Sequence, residues 1–327
     1  MAKNLFPAGV LALLLMAVAV PGAEKKGEGV KITEGDDKVR VEIGGELFTE
    51  YHFKGAPHVY FYPVIGPDAL PMTRDWPMKT DVPGEEPDGH PHHRSLWYSH
   101  GTVNGVDFWG EGRKSGKILH DKFLEVKGSD VGVIRSTCKW VAPDERVICT
   151  DERVFKVYAR PNNERLFDFE ITLKAGDKDT VFGDTKEGSM GIRVAESMRL
   201  KPNKYHKGKP TGHIVLSTGI REDDTWGKAA DWCDYYGPVQ DKVVGVAMFD
   251  HPQNPRHPTT WHVRSYGLFA ANPFGLHDFE NKPLGTGDLT IPAGKSVTFR
   301  YRFYLHKGDE VQAKVAEHYQ NYVQGQN

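Results

Sequence analysis

Four imidazoles and a guanidinium fall between positions 90 and 100 of this 327-residue chain, in Gly89-His90-Pro91-His92-His93-Arg94-Ser95-Leu96-Trp97-Tyr98-Ser99-His100. Histidine titrates near neutrality and also binds metals, so the stretch could serve acid–base chemistry or ligation. In an extended segment His90 and His92 point one way and His93 the other, so no more than two share a site unless the chain turns. The neighbouring Trp97, Tyr98, Phe108 and Trp109 suit a pocket lined by aromatic and polar groups, whereas a plain His-rich surface loop would not need them.

A second cluster runs through Asp250-His251-Pro252, Arg256-His257-Pro258 and Trp261-His262-Val263-Arg264-Ser265-Tyr266. If Thr260 to Leu268 is a strand, His262, Arg264 and Tyr266 project from one face and present imidazole, guanidinium and hydroxyl in a row. The third segment, Gly183-Asp184-Thr185-Lys186-Glu187-Gly188-Ser189-Met190-Gly191, combines carboxylates with glycines that let a ligand approach the backbone. An ordinary Gly-rich turn would look the same. A histidine beside a carboxylate is the minimum equipment for moving a proton at a sugar. On that basis His93, His257 or His262 is expected to carry the proton with Glu187 as partner. Arg94 or Arg264 would bind substrate, and His92, Trp97, His100 and Trp261 would line the cleft.

Two other functions fit the same residues. The tryptophans could bind a sugar with no turnover, the histidines serving only as hydrogen-bonding groups. Alternatively, two or three of His90, His92, His93 and His100 with a carboxylate could hold a divalent metal such as Zn, Cu or Fe. The chain lacks H-E-x-x-H, G-x-S-x-G, C-x-x-C and a dinucleotide fingerprint, which argues against zincins, α/β-hydrolases and Rossmann dehydrogenases.

The elements that must position these groups are strands. Val297, Phe299, Tyr301, Phe303 and Leu305 alternate with Thr298, Arg300, Arg302 and Tyr304. Phe167 to Leu173 and Lys38 to Ile43 alternate likewise, and the apolar run Val243 to Phe249 fits a strand covered on both faces. Val133–Val141 and Arg146–Tyr158 read as a hairpin; pairing Val141 with Arg146 sets Cys138 opposite Cys149. One helix is expected, Asp309 to Val323, capped by Asp309 with Val311, Val315, Tyr319 and Tyr322 on one side. Long loops at 62–93 and 251–258 should carry function. These features predict an all-β fold, a large antiparallel β-sandwich over residues 28–327 with a C-terminal helix.

Residues 89–97 and Val103-Asn104-Gly105-Val106-Asp107-Phe108-Trp109 resemble a bacterial family of unknown function that carries the label methane oxygenase PmoA. The likeness extends through Gly183-Asp184-Thr185-Lys186-Glu187-Gly188, Asp250-His251-Pro252 and Ala271-Asn272-Pro273-Phe274-Gly275 to Tyr301-Arg302-Phe303-Tyr304. A particulate methane monooxygenase subunit is an integral membrane protein, and no spanning stretch follows residue 23, so the label is set aside. The family looks like a distant relative of the galactose-mutarotase-like supersandwiches. This implies a sugar-binding sandwich that uses histidine and a carboxylate in epimerase, lyase or hydrolase chemistry.

Forty-two basic and forty-four acidic residues are dispersed along the chain, so no basic face suggests a nucleic-acid partner. Lys3, the apolar run Val10 to Val20 and the small residues Gly22 and Ala23 predict a signal peptide over residues 1–23. The mature protein is therefore expected to be periplasmic or extracellular, without a membrane span. Three cysteines are too few for a disulfide scaffold.

Overall fold

The computed structural model describes residues 1, 29–85, 87, 89–160 and 164–326. Apart from Met1, the expected signal segment lies outside the described residues. The chain opens with strands β1 (Val30–Glu34), β2 (Lys38–Ile43), β3 (Glu46–His52), β4 (Tyr60–Val64) and β5 (Leu96–His100). Long strands β6 (Lys117–Lys127), β7 (Val131–Val141), β8 (Val147–Tyr158) and β9 (Arg165–Ala175) follow. Then come β10 (Thr180–Phe182), β11 (Gly188–Arg193), β12 (His213–Leu216), β13 (Trp232–Val239) and β14 (Lys242–Asp250). The last strands are β15 (Trp261–Val263), β16 (Leu268–Ala271), β17 (Leu289–Ile291) and β18 (Ser296–Lys307). Helices α1 (Leu276–Glu280) and α2 (Val315–Val323) complete the order.

Among the described residues the strands form two eight-stranded antiparallel sheets and a small β10–β17 pair. The first sheet runs β1-β2-β3-β4-β5-β11-β16-β15, and the second β12-β13-β14-β18-β9-β8-β7-β6. Their inner faces share one core, in which Phe48, Phe61 and Tyr98 meet Phe155, Phe167 and Phe303. The all-β sandwich and its C-terminal helix agree with the alternation in the sequence. On β18 the expected apolar face, from Phe299 to Leu305, is buried in that core. On the other face Arg302 grips Asp168 at 2.6 and 3.0 Å.

Strands β5, β11, β15 and β16 are buried along their whole length. The second sheet covers their inner face. Loops cover much of the outer face, where Tyr60, Tyr62, Trp97, Trp109, Leu268 and Ala270 form a separate apolar cluster. A sheet covered on both sides can tolerate a small residue such as Gly191 where a neighbour fills the gap: a Cβ there would sit 3.0 Å from the Trp97 indole.

Three local expectations need correction. A bulge between Trp140 and Val141 pairs Val141 with Val147, which sets Cys138 opposite Asp151 and Cys149 opposite Trp140; both thiols are buried and free. The terminal helix begins at Val315 rather than Asp309. Asp309 instead caps a preceding turn by accepting the Val311 and Gln312 amides, and this leaves Val311 exposed while Val315, Tyr319 and Tyr322 are buried. The strand expected over 260–268 ends at Val263. A turn closed by Gly267 N–H to the Arg264 carbonyl, with Gly267 at φ +97°, returns the chain into β16. No helix among the described residues is long and apolar enough to cross a membrane.

Candidate functional site

The segment before β5 does turn, and it gathers all three histidines. The His93 amide bonds the His90 carbonyl at 3.2 Å, and Ser95 takes a positive φ. The Ser95 hydroxyl donates to Thr73 at 2.8 Å, and its carbonyl accepts the Arg193 amide at 2.7 Å, so the turn is pinned to β11. The His92 and His93 rings lie 4.5 Å apart, His90 and His93 4.8 Å, and His90 and His92 5.8 Å. Tyr266 stacks on His90 at 5.0 Å, and Trp97 on His93 at 5.3 Å. Trp109 meets His93 edge-on at 5.6 Å.

Arg193, at the end of β11, lies under these rings and is wholly buried. Its guanidinium donates to His93 Nδ1 at 3.1 Å, stands 5.0 Å from the Tyr266 ring centre, and pairs with Glu196 at 3.3 Å. Glu196 also accepts from Arg199 and Asn203, each at 2.8 Å. A guanidinium can only donate, so His93 Nδ1 must accept and the ring proton sits on Nε2. Burial and the nearby Arg193 push the His93 pKa well below its ordinary value, so the ring is neutral.

The β15–β16 hairpin adds the other half of the site. His262, buried on the outer face of β15, accepts the Trp226 indole N–H at Nδ1 over 3.1 Å, which again fixes the ring proton on Nε2. Burial, then Arg264, Lys186 and His90, hold its pKa down to about 3. The Arg264 guanidinium lies 5.5 Å from the Trp226 ring centre and 5.7 Å from that of Tyr266. His90, His92, Trp226, Arg264 and Tyr266 are half-buried and form the accessible tier. His93, Trp97, Trp109, Arg193 and His262 form the buried tier beneath.

The fold thus brings together five of the expected site residues, His92, His93, Trp97, His262 and Arg264. The others lie elsewhere. Arg94 is committed to Glu111 by two bonds of 2.7 and 2.8 Å. His100 is buried against Phe274, with its Nε2 on the Gly183 carbonyl at 2.8 Å. Trp261 faces the core and donates to Ala230. His257 bonds Asp250, at the end of β14 in the second sheet, at 2.7 Å. The Glu187 carboxylate pairs with Lys186 at 3.3 Å, and no hydrogen bond or ion pair among the described residues joins it to His93 or His262. Alternation on β11, which sets Gly191 and Arg193 opposite Met190 and Ile192, was the signal that could have found Arg193.

Among the described residues, no group of three or more His, Cys, Asp and Glu is arranged to hold a metal. Cavities of about 450 and 390 Å³ lie apart from the rings, the first beside Trp76, Glu85 and Tyr205 and the second beside Tyr304, His306 and His318.

A model of a family of unknown function, DUF6807, matches residues 38–320, and the chain belongs to that family. The match spans every one of these rings. No curated protein matches the sequence. Among solved structures the chain is similar to a polysaccharide lyase (12% identity, TM-score 0.31, covering 87% of this chain and 33% of the other). It is also similar to a putative kojibiose phosphorylase from the human microbiome (10%, TM-score 0.35, 85% and 32%). A third is a galactose mutarotase related enzyme from Lactobacillus acidophilus (11%, TM-score 0.25, 85% and 97%). The chain spans about a third of the length of the first two. At TM-scores this low, none of these likenesses says what the chain does.

Proposed function

We propose that this member of DUF6807 binds a carbohydrate on the outer face of its first sheet, against Tyr266 and Trp226, and acts on it through His93 and His262. The observation that carries this reading is the two-tier cluster itself. Half-buried aromatic side chains suit the C–H groups of a sugar ring, while imidazole N–H groups and a guanidinium suit its oxygens. Both imidazoles have Nδ1 occupied by a donor, so each offers an Nε2–H and stabilises negative charge on a sugar oxygen rather than abstracting a proton. Export from the cytoplasm, proposed from Lys3, Val10 to Val20 and Ala23, would place the protein among extracellular glycans.

Calorimetric titration with mono- and oligosaccharides tests the binding. Tyr266→Ala and Trp226→Ala are each expected to weaken it about ten-fold, the loss of one good aromatic contact. A wild-type protein that binds no carbohydrate, or two variants that bind like wild type, would overturn the proposal. Binding without turnover is the second reading, favoured because no described carboxylate bonds His93 or His262. Product analysis on bound glycans separates the two, since turnover lost in His262→Ala is expected only of the enzyme.

A further inference from the structure

Two guanidinium groups near the cluster already hold carboxylates. Arg193 has Glu196, and Arg94 has Glu111. Arg264, between Trp226 and Tyr266, makes no ion pair among the described residues. A half-buried guanidinium without a carboxylate is a receptor for one, because its planar fork matches two carboxylate oxygens.

Three ring N–H groups of the cluster can serve as donors. His262 presents Nε2–H because its Nδ1 is taken by Trp226. His93 Nε2 and Trp109 Nε1 are both buried with no hydrogen-bond partner, and both are N–H donors. Leaving a buried donor unsatisfied is costly, so two of them in adjoining rings 5.6 Å apart point to an acceptor-rich guest. The groups that dominate the field at His262 after burial are Arg264, Lys186 and His90, none of them acidic. A neutral sugar offers hydroxyls that must also find acceptors. A carboxylate only accepts, and the site has donors to give.

We propose that the carbohydrate accepted here is acidic, a uronate whose carboxylate is bound by Arg264 while its ring lies against Tyr266. This rests on the carbohydrate reading above and narrows it to a substrate class. In the test, oligogalacturonate and oligoglucuronate are titrated into the full-length protein beside their methyl esters, which keep the ring and hydroxyls and lose the charge. Neutral oligosaccharides and the simple carboxylates acetate and citrate complete the panel.

The acid forms should bind at least about ten-fold more tightly than their esters, the usual worth of a charge-assisted bond. Arg264→Gln should erase the difference, and raising salt should weaken the acid alone. Equal binding of acid and ester by the wild-type protein, with both lost in Tyr266→Ala, would overturn the uronate while leaving the sugar site standing. Binding of citrate with no oligosaccharide bound would do the reverse, sinking the sugar reading and keeping the anion receptor. The ester comparison needs no variant, so a misfolded Arg264→Gln could not shield the proposal; an Arg264→Gln that folds and keeps wild-type preference would remove Arg264 from it.

Discussion

Arg193 is the residue on which the rest of the site leans. It fixes the His93 tautomer and lies against Tyr266, and it is wholly buried in an ion pair with Glu196. Removing one partner of a buried pair costs about 3–5 kcal/mol, because the other charge is stranded. Glu196→Gln should therefore destabilise the protein by about 3 kcal/mol in urea titration; a loss below about 1 kcal/mol would show that Arg193 is compensated elsewhere. The sequence pointed to His92, His93, His262 and Arg264, because residue type and local spacing advertise them. It did not single out Arg193, whose role comes from a partner a hundred positions away. It also attached roles to His257 and Glu187, whose types fit but whose strands and turns deliver them to Asp250 and Lys186.

Regular alternation made β2, β9 and β18 legible and a continuous apolar run did the same for β14, each close to where the sequence predicts it. The site was harder to read because its groups sit at strand ends and in turns, where side-chain direction follows backbone angles rather than period. The turn before β5 puts three histidines together that an extended chain would have split. Strand packing then sets how deep they lie. Trp97 on β5 occupies the gap left by Gly191 on neighbouring β11, and His93 stacks on Trp97. Gly191→Val would drive a branched side chain into the indole, with an expected loss of about 1–3 kcal/mol from overpacking. Because the indole carries His93, the same variant should weaken ligand binding more than Arg135→Ala, at an exposed position of β7, for which no loss is expected. Urea titration and calorimetry on both variants check the pair, and a Gly191→Val protein with wild-type affinity would show that Trp97 does not set the height of the imidazoles.

Across the whole molecule the buried histidines make stability depend on pH. His58, His100 and His262 are pushed to about 4, about 4 and about 3, in each case mainly by burial. In the unfolded chain each titrates near 6.5, so between 6.5 and those lower values the unfolded state binds more protons than the folded one. Their stabilisation is complete above about 6.5 and drains away as pH falls toward 4. Each contributes on the order of 3 kcal/mol over that range, against a total stability of about 5–15 kcal/mol for an ordinary domain. His306 works in the opposite sense. Paired with buried Asp234 at 3.0 Å, its pKa is raised, so it stabilises below 6.5 and the gain is lost as pH climbs through its folded value. Of the described histidines nine are held below their ordinary value, His93 among them, and two, His306 and His257, above it, so the melting temperature should drop steadily from pH 6.5 to pH 4. His100→Gln replaces a titrating ring with an amide that can still donate to Gly183 and accept from Ser189. That variant should melt with a shallower pH slope, reduced by close to one proton, whatever its stability at neutral pH. An unchanged slope would mean that His100 is not among the groups that make the fold sensitive to acid, and the same measurement on His262→Gln would then show whether the candidate site carries that sensitivity instead.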